Sequence, residues 1–305
     1  MLLVVLLYAL FASIFSLSKI ALDASEPYFF IGSRMLFAGL VMVVVQLFRD
    51  RASLRINKSQ FLSLFFLGLT ATYITNIAEI WALNHTGSAK VCLLYSLSPF
   101  ASAFIAYVVL KEKLNKAKWI GLLIGMLGLI PVTYIQTQTE ISEGTLFSFS
   151  KAELVMLIAV FASVYGWILL KKVLQNYNTS FITANGVSMS IGGSLALLHS
   201  FLSGETWQPL PISDVPAFLK GALLICLISN FICYNLYGYL LKKFSATFMS
   251  FAGLVTPLFA ALFGHYFLEE QISWHYYLAL GIFGIGLSLF YKEELLAQKK
   301  IQTYT

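Results

Sequence analysis

The sequence predicts an all-α membrane protein in which ten transmembrane helices form two inverted five-helix repeats. Three observations predict this fold class: an apolar composition, ten apolar runs long enough to cross a bilayer, and one motif that occurs in both halves. Hydrophobic residues make up 59% of the 305 positions and charged residues 11%, with a mean hydropathy of +0.80. Such a chain has too little polar surface to cover a water-soluble globule.

Ten runs have the length of a membrane span, which is about 20 residues for a hydrocarbon core of about 30 Å. They are predicted at Leu2–Leu22, Tyr28–Phe48, Phe61–Leu83, Ser88–Leu110, Trp119–Gln136, Glu153–Leu170, Phe181–Ser203, Ala217–Leu241, Ser245–Leu268 and Trp274–Tyr291. The first run has no basic residues before it and is longer than the apolar core of a secretory signal. We therefore interpret it as a genuine span.

The basic residues indicate how the spans are oriented. Lys and Arg gather in the connections that follow the even-numbered spans, whereas the opposite connections contain essentially Lys151 alone. Short cytoplasmic loops collect Lys and Arg, so both termini are predicted to lie in the cytoplasm. The net charge of +6 is distributed in these short clusters and forms no basic face, so nucleic acid is not a predicted partner.

One apolar motif occurs twice, at Ser88–Leu129 and at Ser245–Leu287. Each copy begins with Ser-Ala, reaches a proline within its apolar run, and has a glutamate thirteen residues after that proline. The matched pairs are Pro99 with Pro257 and Glu112 with Glu270. Because each half holds five spans, an odd number, the second copy must enter the membrane from the opposite side. The repeat is therefore predicted to be inverted.

The repeat divides the chain into four parts. We predict a first five-helix repeat at 1–136, an inter-repeat linker at 137–152, a second five-helix repeat at 153–291 and a cytoplasmic tail at 292–305. Inverted repeats are typical of carriers that work by alternating access around one central site. Pro99 and Pro257 are the predicted hinges, since a proline within a helix frees a carbonyl and kinks the chain, although such kinks also serve packing.

Four ionisable side chains lie within the predicted spans, each in the outer third of one of the first four: Lys19, Arg34, Glu79 and Lys90. A charge at the bilayer centre costs about 2.5–3.5 kcal/mol and usually marks a pathway or a partner. These residues predict a substrate-binding cluster, and two other interpretations stay open. Lys19 and Lys90 are close enough to span ends to reach the headgroups, and Arg34 could form a structural ion pair with Glu79.

Tyr, Trp and Asn side chains within the spans are further candidates. Interior Tyr residues more often serve packing than ligand binding. Asn230 needs a hydrogen-bond partner inside its span, which either a neighbouring helix or a substrate can supply. Glycines recur on one face of the fifth span, at Gly121, Gly125 and Gly128, and of the tenth, at Gly281, Gly284 and Gly286. Such faces permit close helix contact within the bundle or in a homodimer.

Enzyme and cofactor signatures are missing from the sequence. It has no G-x-S-x-G, H-E-x-x-H or P-loop motif, and its histidines and three cysteines lack metal-ligand spacing. We therefore expect no catalytic residues, no metal and no cofactor. Transport is the favoured function. A membrane scaffold or receptor is the alternative from a different class and would show no flux, and an intramembrane enzyme is a third.

Several stretches together resemble one known family. The stretches "ALFASIFSLSKIAL" and "EPYFFIGSRMLFAGL" are similar to the first two spans of the drug/metabolite transporter superfamily, in particular of its EamA group of ten-span carriers. The stretch "ALNHTGSAKVCLLYSLSPF", followed by "LKEKLNKAKWIGLLIGMLGL", is similar to the most typical motif of that group, and the second half repeats it. The opening segment also resembles S-adenosylmethionine transporters of obligate intracellular bacteria.

The resemblance implies a cavity lined mainly by spans one, three, four, six, eight and nine, with spans five and ten peripheral. The substrate-binding residues that it implies are Lys19, Glu79, Lys90, Tyr95, Tyr165, Trp167, Asn230 and Tyr234, with Arg34 as a possible charge partner. We predict a secondary, non-ATP carrier in the cytoplasmic (inner) membrane for a small polar, zwitterionic metabolite such as an amino acid or nucleoside-linked amino acid. Uptake or exchange of S-adenosylmethionine and S-adenosylhomocysteine is the alternative.

Overall fold

The protein is helical throughout the part that the structure describes. The computed structural model describes residues 2–109, 115–132, 150–243, 249 and 252–303, and these residues form no β-strand. The helices are α1 (Leu2–Leu22), α2 (Pro27–Arg49), α3 (Lys58–His85), α4 (Ser88–Tyr95), α5 (Ser98–Val109), α6 (Lys116–Leu127), α7 (Leu129–Val132), α8 (Lys151–Asn176), α9 (Phe181–Leu202), α10 (Val215–Lys243), α11 (Thr256–Leu268) and α12 (Trp274–Thr303). Short 3-10 turns occupy Arg51–Leu54 and Gly253–Val255.

The helices confirm the predicted all-α membrane class. Seven helical stretches in the described part are long and apolar enough to cross a membrane, and α11 is a shorter apolar helix. The bounds of α1 coincide with the first predicted span, and α2, α3, α8 and α10 begin and end a few residues beyond their predicted spans. α9 begins where predicted and ends one residue earlier. The fifth and ninth predicted spans run into residues outside the described part, as does most of the predicted linker.

The fourth predicted span is not one continuous helix, and this corrects the sequence prediction. It divides at Ser96 and Leu97, whose N–H groups donate to Leu93 and Leu94 in tighter turns, and α5 then begins one residue before Pro99. Similarly, a 3-10 turn precedes α11, and Pro257 lies in the first turn of that helix. The first turn of a helix does not require the proline N–H. Each proline therefore follows a helix break instead of kinking a continuous span.

Two π-helical segments, which the sequence analysis did not predict, interrupt α3 at Gly68–Ile74 and α10 at Cys226–Cys233. An asparagine follows each segment and donates to carbonyls four and five residues before it. Asn76 Nδ2 lies 2.8 Å from Thr72 O and 3.2 Å from Ala71 O, and Asn235 Nδ2 lies 2.9 Å from Phe231 O and 3.4 Å from Asn230 O. These amides satisfy carbonyls in the widened turns, which are frequent at functional sites.

Two helix pairs pack closely through small residues. In the pair α2 and α9, a Cβ atom on Gly193 would lie 2.4 Å from Leu36 N. In the pair α6 and α12, a Cβ atom on Gly286 would lie 2.7 Å from both Gly121 O and Gly125 N. Gly286 of the tenth predicted span therefore packs against Gly121 and Gly125 of the fifth within one chain. The predicted homodimer stays a prediction.

The remaining contacts place seven helices around the centre of the bundle. α3 packs on α8 and α1 packs on α10, while α1 contacts α11 and α8 contacts α4 and α5. These helices enclose the central space. The pair α6 and α12 has most of its contacts within itself and lies to one side.

Candidate functional site: the central cavity

A cavity lies in the middle of the bundle between α1, α2, α3, α4, α5, α8, α10 and α11. The empty space between these helices, with the solvent at its open mouth included, is about 1230 Å³. Its polar and aromatic lining residues are Tyr8, Phe11, Phe15, Arg34, Thr75, Asn76, Glu79, Tyr95, Ser96, Ser98, Ser102, Ser163, Trp167, Ser229, Tyr234, Tyr237 and Thr256.

Arg34 and Glu79 bring opposite charges to this cavity. Arg34 lies in the second turn of α2 and is only 4% exposed, and its Nε and Nη1 atoms have no hydrogen-bond partner among the described residues. Glu79 follows the π-helical segment of α3, and its Oε2 accepts a hydrogen bond of 2.9 Å from the Tyr95 hydroxyl. Within the described residues, no carboxylate oxygen lies within 4.0 Å of Arg34. The structural Arg34–Glu79 ion pair that the sequence left open is therefore not formed here.

Four aromatic rings form a cluster on the cavity wall. Trp167 of α8 lies over Tyr237 and Tyr234 of α10, with ring centroids 4.2 Å and 5.4 Å apart. Phe11 of α1 contacts the same two tyrosines edge-on at 6.3 Å and 6.4 Å. We call Phe11, Trp167, Tyr234 and Tyr237 the aromatic cluster. Such faces stack on planar bases and attract cations.

The break between α4 and α5 adds small polar groups to the same space. Ser96, Ser98 and Ser102 line the cavity there. The Ser98 hydroxyl donates to Tyr95 O at 2.5 Å, and the Ser96 hydroxyl is buried without a protein partner in the described part of the chain. The cavity thus has a guanidinium, a carboxylate, hydroxyls and aromatic faces within one lining.

Lys90, a predicted substrate residue, lies outside this lining. Its Nζ is 2.8 Å from Glu153 Oε1, and the two side chains are 3% and 1% exposed. Glu153 also accepts from Ser150 N, and Ser150 caps α8 in return, which forms a capping box. The structure therefore places Lys90 in a buried ion pair between α4 and α8, and it neither faces the cavity nor extends to the membrane surface.

Lys19 also lies outside the lining and contacts a different glutamate. Its Nζ is 3.5 Å from Glu270 Oε1 and 3.2 Å from Thr86 O, and its side chain is 36% exposed. Glu270 accepts from Ser88 N at 2.8 Å and from Ala89 N at 3.2 Å, so it caps the start of α4. Lys19, Glu79 and Lys90 therefore do not converge on one point.

Three further predicted residues lie away from the cavity lining. Asn230 is fully buried in the π-helical segment of α10, where its Nδ2 lies 2.9 Å from Met35 Sδ. Tyr165 is half-buried on α8 and lies outside the lining, to which its neighbours Ser163, Val164 and Trp167 belong. Pro257 is buried, and its carbonyl accepts a hydrogen bond of 2.5 Å from the Tyr276 hydroxyl. Of the predicted set, Glu79, Tyr95, Trp167 and Tyr234 line the cavity, together with Arg34 and Pro99.

Three glutamates of the second half contact the first half at one end of the bundle. Glu153 pairs with Lys90, Glu270 contacts Lys19 and the start of α4, and Glu205 accepts from Tyr28 N and Phe29 N at 2.7 Å and 2.9 Å. We call this end, defined by Glu153, Glu205 and Glu270, the carboxylate face. Carboxylates at helix N-termini satisfy free N–H groups and complement the helix dipole.

Sequence reasoning missed part of this site. Tyr8, Phe11 and Phe15 line the cavity from α1, but nothing in an apolar run distinguishes a cavity face from a packed face. Glu153 had a visible signal, because Ser150 and Glu153 have the spacing of a capping box. Its partner Lys90, however, lies on a distant segment, and sequence spacing does not show which residues of α4 and α8 lie opposite each other.

Comparisons with known proteins agree with this architecture. The EamA-like transporter family matches residues 1–134 and 150–292, which is most of the chain. The chain belongs to the EamA-like transporter family. The nucleotide-sugar transporter family also matches residues 69–208. The resemblance stated from the sequence is confirmed, and the protein is a multi-pass membrane transporter and not an enzyme.

Several relatives carry a substrate in their names. The chain is 37% identical to an S-adenosylmethionine/S-adenosylhomocysteine transporter of Chlamydia muridarum, over 93% of this chain and 89% of that protein. It is 36% identical to a transporter of the same name from Chlamydia trachomatis, over 93% and 86% of the two chains. A solved crystal structure superposes with a TM-score of 0.66 over 97% of both chains at 16% identity, so it shares this fold.

Proposed function

We propose that this EamA family member is a secondary carrier for nucleoside-linked amino acids, with S-adenosylmethionine and S-adenosylhomocysteine as its substrates. The observation that carries the proposal is the composition of one cavity, where Arg34 and Glu79 lie in the same lining as the aromatic cluster. The names of the Chlamydia relatives support the same substrate class. This choice refines the broader sequence prediction of a small zwitterionic metabolite.

The chemistry of these substrates corresponds to the groups in the cavity. Both molecules join an α-amino acid to adenosine through sulfur, so they present a carboxylate, an ammonium and a planar base. S-adenosylmethionine also has a positive sulfonium. A guanidinium suits the carboxylate, a carboxylate suits the cations, and aromatic rings suit both the base and the sulfonium.

Substrate and product differ by one methyl group and one positive charge. Both differences are at the sulfur, in the middle of the molecule. A site that recognises the amino acid at one end and the base at the other therefore binds both molecules. We therefore propose exchange, in which S-adenosylmethionine enters while S-adenosylhomocysteine leaves. Exchange needs neither ATP nor a cofactor.

Alternating access is the proposed mechanism, and matched features of the two halves support it. A π-helical segment interrupts α3 and another interrupts α10, and a helix break precedes both Pro99 and Pro257. The contacts of α1 with α10 and α11 parallel those of α8 with α3 and with α4 and α5. We propose that the two halves are inverted repeats, and that the prolines are hinges at which the halves exchange conformations.

The carboxylate face is the proposed exterior face. In the sequence the basic residues follow the even-numbered spans, and this bias supports a cytoplasmic position for both termini in a bacterial inner membrane. Single cysteines at Asn57, Asn115 and Ser213, in a background without the three native cysteines, test this topology with an impermeant maleimide. We expect labelling of the Ser213 site alone from outside, and labelling of the Asn115 site would reverse the proposed orientation.

Transport by purified protein in liposomes is the direct test of the proposed function. We expect vesicles loaded with unlabelled S-adenosylhomocysteine to take up labelled S-adenosylmethionine by exchange, and empty vesicles to take up much less. ATP should have no effect on the rate. Saturable binding without any flux would indicate a receptor or scaffold, and conversion of the ligand without movement would indicate an enzyme.

A further inference from the structure

We infer that Arg34 is the residue that binds the substrate carboxylate, and that it sets the direction in which the substrate lies in the cavity. This inference rests on the proposed function, because it concerns a substrate with an α-amino acid at one end. It gives Arg34 a role different from the charge partner of Glu79 that the sequence suggested.

Arg34 is buried, and most of its guanidinium nitrogens lack a hydrogen-bond partner among the described residues. Its side chain is 4% exposed, and two of its three guanidinium nitrogens have no hydrogen-bond partner in the described part of the chain. Its contact with the Phe30 ring, 5.6 Å from the guanidinium carbon to the ring centroid, leaves these N–H groups unsatisfied. A buried charge is costly unless it is paired, so these N–H groups are well placed to donate to an anion.

The shape of the guanidinium indicates which anion fits. Its planar fork donates two parallel hydrogen bonds to a carboxylate, a geometry that the point charge of a lysine does not offer. Arg34 is one of the residues that line the cavity, where a ligand would bind. A carboxylate is the anion that an α-amino acid provides.

Glu79 supplies the complementary half of an amino-acid site. Its Oε2 is held by the Tyr95 hydroxyl at 2.9 Å, while Oε1 accepts no hydrogen bond from the described residues. An ammonium group bound there would lie beside a carboxylate bound to Arg34. The two residues therefore recognise a zwitterion as a pair, with Tyr95 positioning Glu79.

The position of the aromatic cluster then determines the orientation. α2 and α8 both begin at the carboxylate face, where Arg34 lies seven residues into α2 and Trp167 lies sixteen residues into α8. At about 1.5 Å per residue these positions are about 10 Å and about 24 Å from that face. The amino acid therefore points toward the carboxylate face, and the base lies in the aromatic cluster toward the opposite end.

A ligand that lacks only the carboxylate isolates the role of Arg34. Decarboxylated S-adenosylmethionine keeps the ammonium, the sulfonium and the base. We expect the full-length wild-type protein in detergent to bind S-adenosylmethionine at least about 30-fold more tightly than this analogue, in a titration by calorimetry. In Arg34→Gln this preference should fall below about threefold, because S-adenosylmethionine binding weakens while analogue binding stays nearly unchanged.

Controls separate this inference from the proposed function. Lys19→Met removes a cation outside the cavity lining and should keep the full preference, whereas Arg34→Lys should keep part of it. If wild type binds both ligands equally, or if Arg34→Gln keeps its preference or weakens both ligands alike, Arg34 does not bind the carboxylate. If wild type binds neither ligand, the proposed substrate class itself is wrong.

Discussion

Lys90 and Arg34 are both buried cations within the first half of the chain, yet their surroundings differ. Lys90 has a carboxylate at 2.8 Å, supplied by Glu153 at the start of α8. Arg34 has no carboxylate within 4.0 Å among the described residues and faces the cavity instead. Removing one member of a buried ion pair leaves an uncompensated charge, whereas removing Arg34 breaks no ion pair within 4.0 Å among the described residues.

This difference distinguishes residues that maintain the structure from residues that bind substrate. The Lys90–Glu153 pair joins α4 to α8, and so joins the two halves of the chain at the carboxylate face. Arg34 joins no two helices through an ion pair in the described structure, and its unsatisfied N–H groups lie in the cavity lining. Both residues were predicted from the same signal, a charge within a span. They differ in that Lys90 has an ion-pair partner in the described structure and Arg34 has none.

The largest expected effect comes from breaking the Lys90–Glu153 pair. Lys90→Met or Glu153→Gln should lower the free energy of unfolding by about 3–5 kcal/mol, because either change leaves one buried charge unpaired. Joint replacement by Met and Leu should recover most of this loss. Denaturant unfolding of the purified protein measures both effects, and single variants as stable as wild type would contradict a structural role for the pair.

A smaller effect, on affinity alone, is expected at the aromatic cluster. Trp167→Ala should weaken S-adenosylmethionine binding by about 1–3 kcal/mol, which is the range for a base stacked on an aromatic ring. Trp274→Ala is the matched control, because Trp274 is exposed and lies outside the cavity lining. Equal losses of affinity in the two variants would argue against the proposed position of the base.

A third effect, on stability, is expected at the start of α4. Glu270→Gln should cost about 1 kcal/mol, because the charge that caps Ser88 and Ala89 and faces Lys19 is lost while the hydrogen-bonding shape is kept. The neighbour Glu269 is exposed, so Glu269→Gln is the control and should change stability little. Unfolding of the two variants side by side tests the cap, and equal stability would exclude it.

The smallest effect is expected from Lys19→Met. Partly exposed ion pairs contribute at most about 1 kcal/mol, and the Lys19–Glu270 distance of 3.5 Å is long for a strong pair. We expect transport and stability to remain close to wild type. A loss of transport without a loss of stability would indicate that Lys19 binds substrate, as the sequence predicted.

Much of the fold could be predicted because it depends on local properties of the chain. The apolar run from Leu2 to Leu22 gives α1 its bounds, since backbone groups in lipid must be satisfied within one helix. The break before Pro99 was anticipated as a kink because proline cannot donate a backbone hydrogen bond. The π-helical segments were not predicted, since the sequences around Asn76 and Asn235 also suit an ordinary helix.

The candidate site was only partly predictable, for a different reason. A charged residue within a span indicates that it interacts with another group. Which group this is depends on how helices that are distant in sequence pack together. Lys90 and Glu153 are far apart in sequence and meet only because α4 packs on α8. Glu79 and Tyr95 likewise meet across two helices in the cavity wall. Sequence reasoning therefore identified these side chains without determining which of them share a site.

Thermal unfolding of wild type, Arg34→Met and Lys90→Met, each with and without S-adenosylmethionine, tests the central distinction most directly. Without ligand, we predict that Lys90→Met unfolds several degrees below wild type, while Arg34→Met unfolds at or above the wild-type temperature. A bound ligand stabilises the folded state, so wild type and Lys90→Met should both gain stability, and Arg34→Met should gain little. If Arg34→Met is destabilised as strongly as Lys90→Met without ligand and still responds fully to it, Arg34 is a structural residue and the account is contradicted.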